Sequence, residues 1–275
     1  MSLQTLSEWL RCPVCFSALS PREPLTLVCP AGHSFDVNKR GFITLLRSRG
    51  LIGDSADMLD AREAFLGAGW YAPLRDAVAT LAVSGSPRSI IDIGCGTGYY
   101  LGGVLAQAPE AHALAVDISP AAVARTVRSN ERTDGLVADV WSPLPIRDGS
   151  ADVILNVFAP RNTAEFARVL RPGGLLVVVI PQSTHLRELR DAGLALGVHD
   201  DKDVLLVESL AAHFSVESRQ RISTGLSLTP TEVAALVGMG PSAHHQSAAD
   251  DWLITSERRP VTTAFEVFGF CRLRK

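Results

Sequence analysis

Lysine is almost missing from this 275-residue chain: 3 of its 26 basic residues are lysine and the rest are arginine. With alanine abundant, the imbalance reads as the codon composition of a GC-rich genome rather than a functional choice. Long apolar runs are missing too. The longest, Gly174 to Ile180, falls far short of the roughly 20 residues a membrane helix needs. The first twenty residues hold Glu8, Arg11 and two cysteines without an apolar h-region, which argues against an ordinary secretory leader. No internal repeat or low-complexity tract is found. A net charge of −3 excludes attraction to nucleic acid by bulk charge. These absences leave a soluble cytoplasmic protein with no membrane partner as the expectation. An apolar content of 47% excludes wholesale disorder and is enough for a packed core.

The charge that is present is uneven. Residues 1–50 carry Arg11, Arg22, Lys39, Arg40, Arg47 and Arg49 against Glu8, Glu23 and Asp36, so this fifth is +3 and the remainder −6. The stretch is either a local patch that positions phosphates or ordinary surface. It also holds three of the five cysteines, in Cys12-Pro-Val-Cys15 and Cys29-Pro-Ala-Gly-His33. Two short knuckles, each with Pro after its first cysteine, can aim four ligands at one tetrahedral zinc. A disulfide pair or unrelated thiols are the other readings, and a cytoplasmic setting argues against disulfides. So small a module has little core of its own, and the metal would supply folding energy. Four protein ligands leave no open position, which makes the zinc structural. Leu25 to Val28 reads as a short strand between the knuckles. Trp9 and Phe16 are either module core or stacking surfaces for a base.

Three domains are expected: 1–45 around the metal, a helical connector over 46–88, and 89–275. In the connector, helical spacing covers Ala56 to Leu66 after a Gly53-Asp-Ser55 turn, then Leu74 to Val83. From residue 89 strands and helices alternate. Strands are predicted at Ser89–Ile93, His112–Ile118, Gly135–Val140, Ala151–Phe158 and Gly174–Ile180, with strand-like content at Val216–Ser223 and Ala264–Arg274. Helices are predicted at Tyr99–Gln107, Ala121–Arg128, Thr163–Leu170, His185–Leu196 and 229–237. The alternation implies a doubly wound α/β sheet covered on both faces.

Directly after the first of these strands comes Asp92-Ile-Gly94-Cys-Gly96-Thr-Gly98-Tyr99. Glycines let backbone amides approach a ligand, and the following helix N-terminus favours negative charge. Alone this is a weak signal, because dinucleotide sites look similar. Asp117 ends the next strand, where a ribose hydroxyl pair would sit. Asp139 ends the third, where Asp139-Val140 would meet an adenine. Each acid alone is also a turn or cap residue. The order resembles class I S-adenosylmethionine-dependent methyltransferases, with a Rossmann-like seven-stranded sheet. Arg168-Val-Leu-Arg-Pro-Gly-Gly-Leu175 strengthens that resemblance.

Together with the cysteine knuckles and Gly53-Asp-Ser-Ala-Asp57-Met58…Arg62…Phe65-Leu66…Gly69-Trp-Tyr71-x-Pro73, the chain resembles one family. It is the large-subunit rRNA guanine-N1 methyltransferases of the RlmA type, which include the tylosin-resistance (TlrB) enzymes. Phe35-Asp36, Gly41-Phe42, Asn156-Val-Phe-Ala-Pro160 and Pro181…His185-Leu186…Glu188-Leu189 belong to the same likeness. It runs from residue 12 to about 190 and thins beyond 200.

The resemblance implies a zinc-ribbon RNA-recognition domain ahead of a methyltransferase domain. It also implies a homodimer with a cleft for an RNA hairpin, and transfer from S-adenosylmethionine to N1 of a guanine in a 23S rRNA domain II hairpin. The resistance-type guanine is preferred to its sister position, with tylosin resistance as the consequence. Zinc falls to Cys12, Cys15, Cys29 and His33, and cofactor contacts to Tyr71, Gly96, Thr97 and His185. Asp92, Gly94, Gly98, Asp117 and Asp139 join them from the wider superfamily. Read from the residues alone, Tyr71 is either core or a cation–π surface beside a sulfonium, and His185 either a ligand or a helix start.

The loop after the fourth strand would meet the acceptor. Asn156 is therefore expected at the base edge and Pro160 at the slot, with Asp54 and Arg62 reaching it from the connector. A structural cap or ion pair is the alternative for each. Cys95 reads as a small filler in the glycine turn and Cys271 as a buried strand residue. A small-molecule methyltransferase of the quinone-biosynthesis kind would carry the same glycine and Arg-Pro-Gly-Gly phrases, though rarely a zinc module. A non-catalytic RNA-binding protein is the third reading, and the intact acids and glycines argue against it.

Overall fold

A computed structural model describes residues 3–46, 53–197, 201–240 and 257–274. The chain opens with helix α1 (Leu3–Trp9). A three-stranded antiparallel sheet follows, made of β1 (Ser20–Arg22), β2 (Thr26–Val28) and β3 (Ser34–Asp36). Strand β4 is Phe42–Thr44. The connector supplies α2 (Ala56–Gly67) and α3 (Ala72–Ala82). Ser55 caps α2 by accepting from the Met58 amide at 3.2 Å, the expected use of a serine there.

The alternating part comprises β5 (Ser89–Ile93), α4 (Tyr99–Gln107), β6 (His112–Asp117), α5 (Pro120–Ser129), β7 (Thr133–Val137), β8 (Ala151–Val157) and α6 (Thr163–Val169). It continues with β9 (Leu170–Pro181), α7 (Arg187–Asp191), α8 (Lys202–Leu210), β10 (Phe214–Leu228), α9 (Pro230–Gly238) and β11 (Arg259–Arg272). The large sheet runs β10-β11-β9-β8-β5-β6-β7-β4. All its neighbours from β9 to β4 pair parallel, and β11 is antiparallel to both β9 and β10. The buried strands read as near-continuous apolar runs because helices cover both faces. Chain order reverses at β5, with β6 on one side and β8 on the other. That switch point is where open α/β sheets gather ligands, beyond the strands' carboxyl ends.

Seven strands are expected and eight form the large sheet among the described residues. The extra one is β4, which belongs to the front module by sequence. It hydrogen-bonds in parallel to β7, with Phe42 opposite Gly135 and Thr44 opposite Val137. Residues 42–44, on the near side of the boundary expected near residue 45, thus pair with the large sheet rather than with the three-stranded one. Leu6, Trp9, Leu10, Leu19 and Leu27 share one buried core with Leu136, Leu144 and Ile146. Arg147 donates to the Leu10 and Leu19 carbonyls at 2.9 and 3.1 Å, and the Arg11 amide to Pro145 O at 3.0 Å.

Four further elements differ from expectation. β7 ends at Val137, so Ala138 to Val140 leave the ladder. The helix expected over His185–Leu196 shrinks to five residues, with Leu186 at φ 55° before it and Gly193 at φ 74° after it. β10 and β11 are longer than predicted because they pair with each other along almost their whole length. Among the described residues no helix is long and apolar enough to cross a membrane.

Candidate functional site

The metal centre assembles from two turns. Cys12, Cys15, Cys29 and His33 bring their ligand atoms within 4.8 Å of one another. Cys15 Sγ and Cys29 Sγ are 3.6 Å apart, and His33 Nδ1 lies 3.6 Å from Cys12 Sγ and 3.3 Å from Cys29 Sγ. A tetrahedral zinc with bonds of about 2.3 Å to sulfur requires ligand separations of about 3.8 Å or a little less, so the four residues fit that ion. None of the cysteines is in a disulfide. The Val14 amide points at Cys12 Sγ at 3.4 Å, the kind of outer-shell bond that orients a ligand.

Over the carboxyl ends of β5, β6, β8 and β9 lies a cavity of about 970 Å³. The turn after β5 forms its floor. Gly94 sits at φ 78°, and a Cβ there would come within 2.4 Å of the Ala159 Cβ. Only glycine lets the two loops touch. Gly96 and Thr97 line the cavity. Gly98 does not; it caps α4 at φ 78°, and a Cβ would meet Thr126 at 2.8 Å. Cys95 is buried with its thiol pushed well above the usual range by that burial, an inert filler.

Asp117 lines the cavity and holds the turn in shape. Its Oδ2 accepts from the Gly96 amide at 3.1 Å and its Oδ1 from the Ser119 amide at 2.9 Å. Each oxygen keeps acceptor capacity. Burial raises this carboxyl above the usual carboxylate range. Asp139 also lines the cavity and accepts from the Trp141 amide and Ser142 hydroxyl, both at 3.0 Å. The break of β7 at Val137 is what delivers Asp139 and Val140 to the wall.

Asp92 departs from the expected ligand role: it is 3% exposed and does not line the cavity. Burial, then the neighbouring Asp117, push its acid up to about 7. It packs beneath the glycine turn because the preceding strand points it into the core.

Tyr71 and His185 come from distant segments and meet on Phe265 of β11. The Tyr71 ring packs edge-on against Phe65 at 5.2 Å and Phe265 at 4.9 Å, and the His185 ring lies 4.6 Å from Phe265. Both line the cavity. The buried Tyr71 and Tyr100 hydroxyls have no partner among the described residues. Unsatisfied buried hydroxyls cost free energy, and here they sit on a cavity wall, as donors and acceptors for a bound molecule would. His185 Nδ1 accepts from the Ala264 amide at 3.2 Å, which leaves the proton on Nε2. Burial, then the Arg190 and Lys202 charges, hold the ring down to about 3, so it is neutral. A glycine turn, an anion to hold hydroxyls, a neutral imidazole donor and two free phenols fit S-adenosylmethionine.

The acceptor residues fare differently. Asn156 is fully buried below the wall rather than at a base edge. Its Nδ2 donates to Pro160 O at 2.9 Å, and its Oδ1 has no partner among the described residues. Side chains alternate along β8, and Asn156 points inward under the loop it braces. Pro160 and Asp54 do line the cavity. Asp54 is tied to Arg62, which also donates to Met239 O at 2.8 Å, so the ion-pair alternative holds for both. Among the wall residues that the sequence reading did not assign to the site are Tyr100, Phe265, Phe158, Trp141, Arg161 and Lys202. The Asn156-Val-Phe-Ala-Pro160 phrase pointed at Phe158; nothing local marked Trp141, Arg161 or Lys202.

Of the basic residues in the front module, Arg11 is committed inside the protein. It donates to Leu144 O and Asp148 at 3.2 and 3.1 Å and stacks over Phe16 at 4.7 Å. Arg22 bonds Ser34 Oγ at 3.1 Å, and Lys39 and Arg40 are exposed. Arg47 and Arg49 lie outside the described residues. Trp9 is core; Phe16 is 44% exposed.

Comparison with known proteins gives two family matches. Residues 10–48 match the zinc ribbon described as "RlmA, N-terminal", and residues 90–174 match "Methyltransferase domain". A Streptomyces fradiae 23S rRNA (guanine(748)-N(1))-methyltransferase is 46% identical over 244 residues, covering 87% of both chains. A malonyl-[acyl-carrier protein] O-methyltransferase of Hahella chejuensis is 32% identical, but over only 46% of this chain and 48% of its own. Among solved structures, the YcgJ protein of Bacillus subtilis superimposes with a TM-score of 0.51 at 15% identity, over 72% of this chain and 99% of that one.

Proposed function

The chain belongs to the family of 23S rRNA (guanine-N1)-methyltransferases that begin with an RlmA-type zinc ribbon, and from that premise we propose its reaction. It transfers a methyl group from S-adenosylmethionine to N1 of a guanine in a 23S rRNA hairpin loop. The position is the one named for the Streptomyces fradiae relative, guanine 748, and its modification confers tylosin resistance. In this reading the protein works in the cytoplasm as a homodimer. The observation that carries the reading is that the 46% identity runs through 87% of the chain, where the malonyl-carrier relative covers about half. Small-molecule methyltransferases rarely carry a metal module ahead of the sheet.

The bound cofactor supplies a methyl group already activated by its sulfonium. The chain's own work is placement. Asp117 would hold the ribose hydroxyls through charge-assisted bonds, and Asp139 and Val140 the adenine edge. Gly94, Gly96 and Thr97 let the backbone approach. Tyr71 presents a ring face and a free hydroxyl, and His185 an Nε2–H donor. Asp92 and Gly98 shape the turn from beneath. Pro160 forms one side of the acceptor slot, Asn156 braces it, and the Asp54–Arg62 pair closes the connector side. A guanine N1 is unreachable in a stacked duplex, so the target is an unpaired or extruded base.

Primer extension on rRNA from cells with and without the gene tests the proposal. A new stop at the guanine is expected. No change at any guanine overturns the reading, and modification of another guanine overturns the position alone. Tylosin susceptibility of the same strains tests resistance.

A further inference from the structure

Two cations on the cavity wall have no counter-ion among the described residues. Arg161 follows Pro160 in the loop after β8, and Lys202 is the first residue of α8. Both are half-buried and line the cavity. Neither forms an ion pair with any described residue. The one hydrogen bond Arg161 makes is a long one, 3.5 Å to its own neighbour Ala159 O. They stand close enough for the Arg161 charge, after burial, to lower the Lys202 ammonium from its usual range. Most other arginines here are tied to carboxylates or carbonyls, as Arg11, Arg62, Arg125, Arg168 and Arg219 are. Holding two like charges half out of water without an anion is costly.

Their place in the sheet says which reactant brings the anion. Asp117 and Asp139 follow β6 and β7, on one side of β5. Arg161 and Lys202 follow β8 and β9, on the other side. At about 4.8 Å per strand, β7 and β9 are roughly 19 Å apart. The methyl donor carries a sulfonium and an ammonium against one carboxylate, so an unpaired double cation suits it poorly. Phe158 stands three residues before Arg161, at φ 54° with 46% of its surface exposed. It offers exposed aromatic surface at the same cavity. An exposed aromatic beside paired cations is how a protein receives a nucleobase and its phosphate.

We propose that Arg161 and Lys202 form a phosphate subsite for the target nucleotide, with Phe158 taking the face of its base. The proposal rests on the rRNA reading above.

Arg161→Gln, Lys202→Gln and Arg161→Lys in the full-length protein test it, with Phe158→Leu for the ring. Three quantities are measured: affinity for the 23S rRNA hairpin across a salt series, affinity for S-adenosylhomocysteine by calorimetry, and thermal stability. Each glutamine variant should weaken hairpin binding roughly tenfold. It should also flatten the plot of log affinity against log salt by about 0.7. Arg161→Lys should keep the slope. Phe158→Leu should weaken binding roughly tenfold with the slope unchanged. S-adenosylhomocysteine affinity and melting temperature should hold throughout. Loss of S-adenosylhomocysteine affinity with RNA binding intact assigns the cations to the cofactor's carboxylate and overturns the proposal. Unchanged hairpin affinity and slope, with the wild type methylating the hairpin, overturn the subsite alone. A wild type that neither binds nor methylates the hairpin overturns the rRNA reading and the subsite with it.

Discussion

Stripping the zinc should loosen the cofactor crevice as well as the ribbon. The three-stranded ribbon sheet has only nine strand residues and no core of its own. Structural zinc contributes about 10–16 kcal/mol in small metal modules, against about 5–15 kcal/mol for whole-domain stability. In this protein Leu6, Trp9, Leu10, Leu19 and Leu27 are buried in the core that also holds Leu136 and Ile146. At about 1.5–3 kcal/mol per buried side chain, freeing even two of the five costs about 3–6 kcal/mol of shared stability. At about 2–4 °C per kcal/mol for a chain of this size, the melting temperature should drop by roughly 6 °C or more. The β4 ladder runs onto β7, and β7 feeds Asp139. S-adenosylhomocysteine affinity should therefore fall severalfold in the chelated protein and in Cys12→Ser. Scanning calorimetry and amide exchange read this directly, with faster exchange expected in β7 and at 138–142. A low-temperature transition confined to residues 1–45, with β7 exchange and cofactor affinity unchanged, would refute the coupling.

Asp117→Asn replaces one acceptor oxygen by an amide donor that must face either the Gly96 or the Ser119 N–H. S-adenosylhomocysteine affinity should fall by about 1.5–3 kcal/mol, read by calorimetry; unchanged affinity would mean the ribose is held elsewhere. Gly135→Ala places a Cβ 2.5 Å from Val123 Cγ1 and 2.6 Å from Phe42 Cβ. This overpacks the β4–β7 seam and should cost about 1–3 kcal/mol in a denaturant melt; a neutral result would mean that β4 shifts freely. Asp92 holds its proton up to about 7 in the folded protein, whereas the unfolded carboxyl releases it near 4. Between those values the folded state binds the extra proton, so stability falls as pH rises, by at most about 4 kcal/mol for this group. His185, held down to about 3, works in the opposite sense between its two values. The test is therefore the difference between wild type and Asp92→Asn at pH 5 and pH 8. The variant should gain relative stability at pH 8, and a pH-independent difference would contradict the assignment.

The sequence by itself determined everything whose chemistry is local. Two cysteine knuckles at fixed spacing close on one point because short turns leave their ligands nowhere else to go. Helix α4 begins at Tyr99 and ends at Gln107, as read from the glycine turn and the apolar spacing. Asp117 reaches the cavity because it ends β6. Tertiary structure decided what depends on partners far along the chain. Arg11 reads as a phosphate ligand until Asp148 and Glu165, more than a hundred residues away, neutralise it. Asn156 reads as a base contact until the strand's alternation buries it. Phe42 to Thr44 read as the tail of a metal module, but an open parallel edge on β7 captures them as a strand. Arg161 and Lys202 carry no local mark at all. A charge becomes conspicuous only when folding takes it from water without supplying a counter-ion, and no window of neighbouring residues records that.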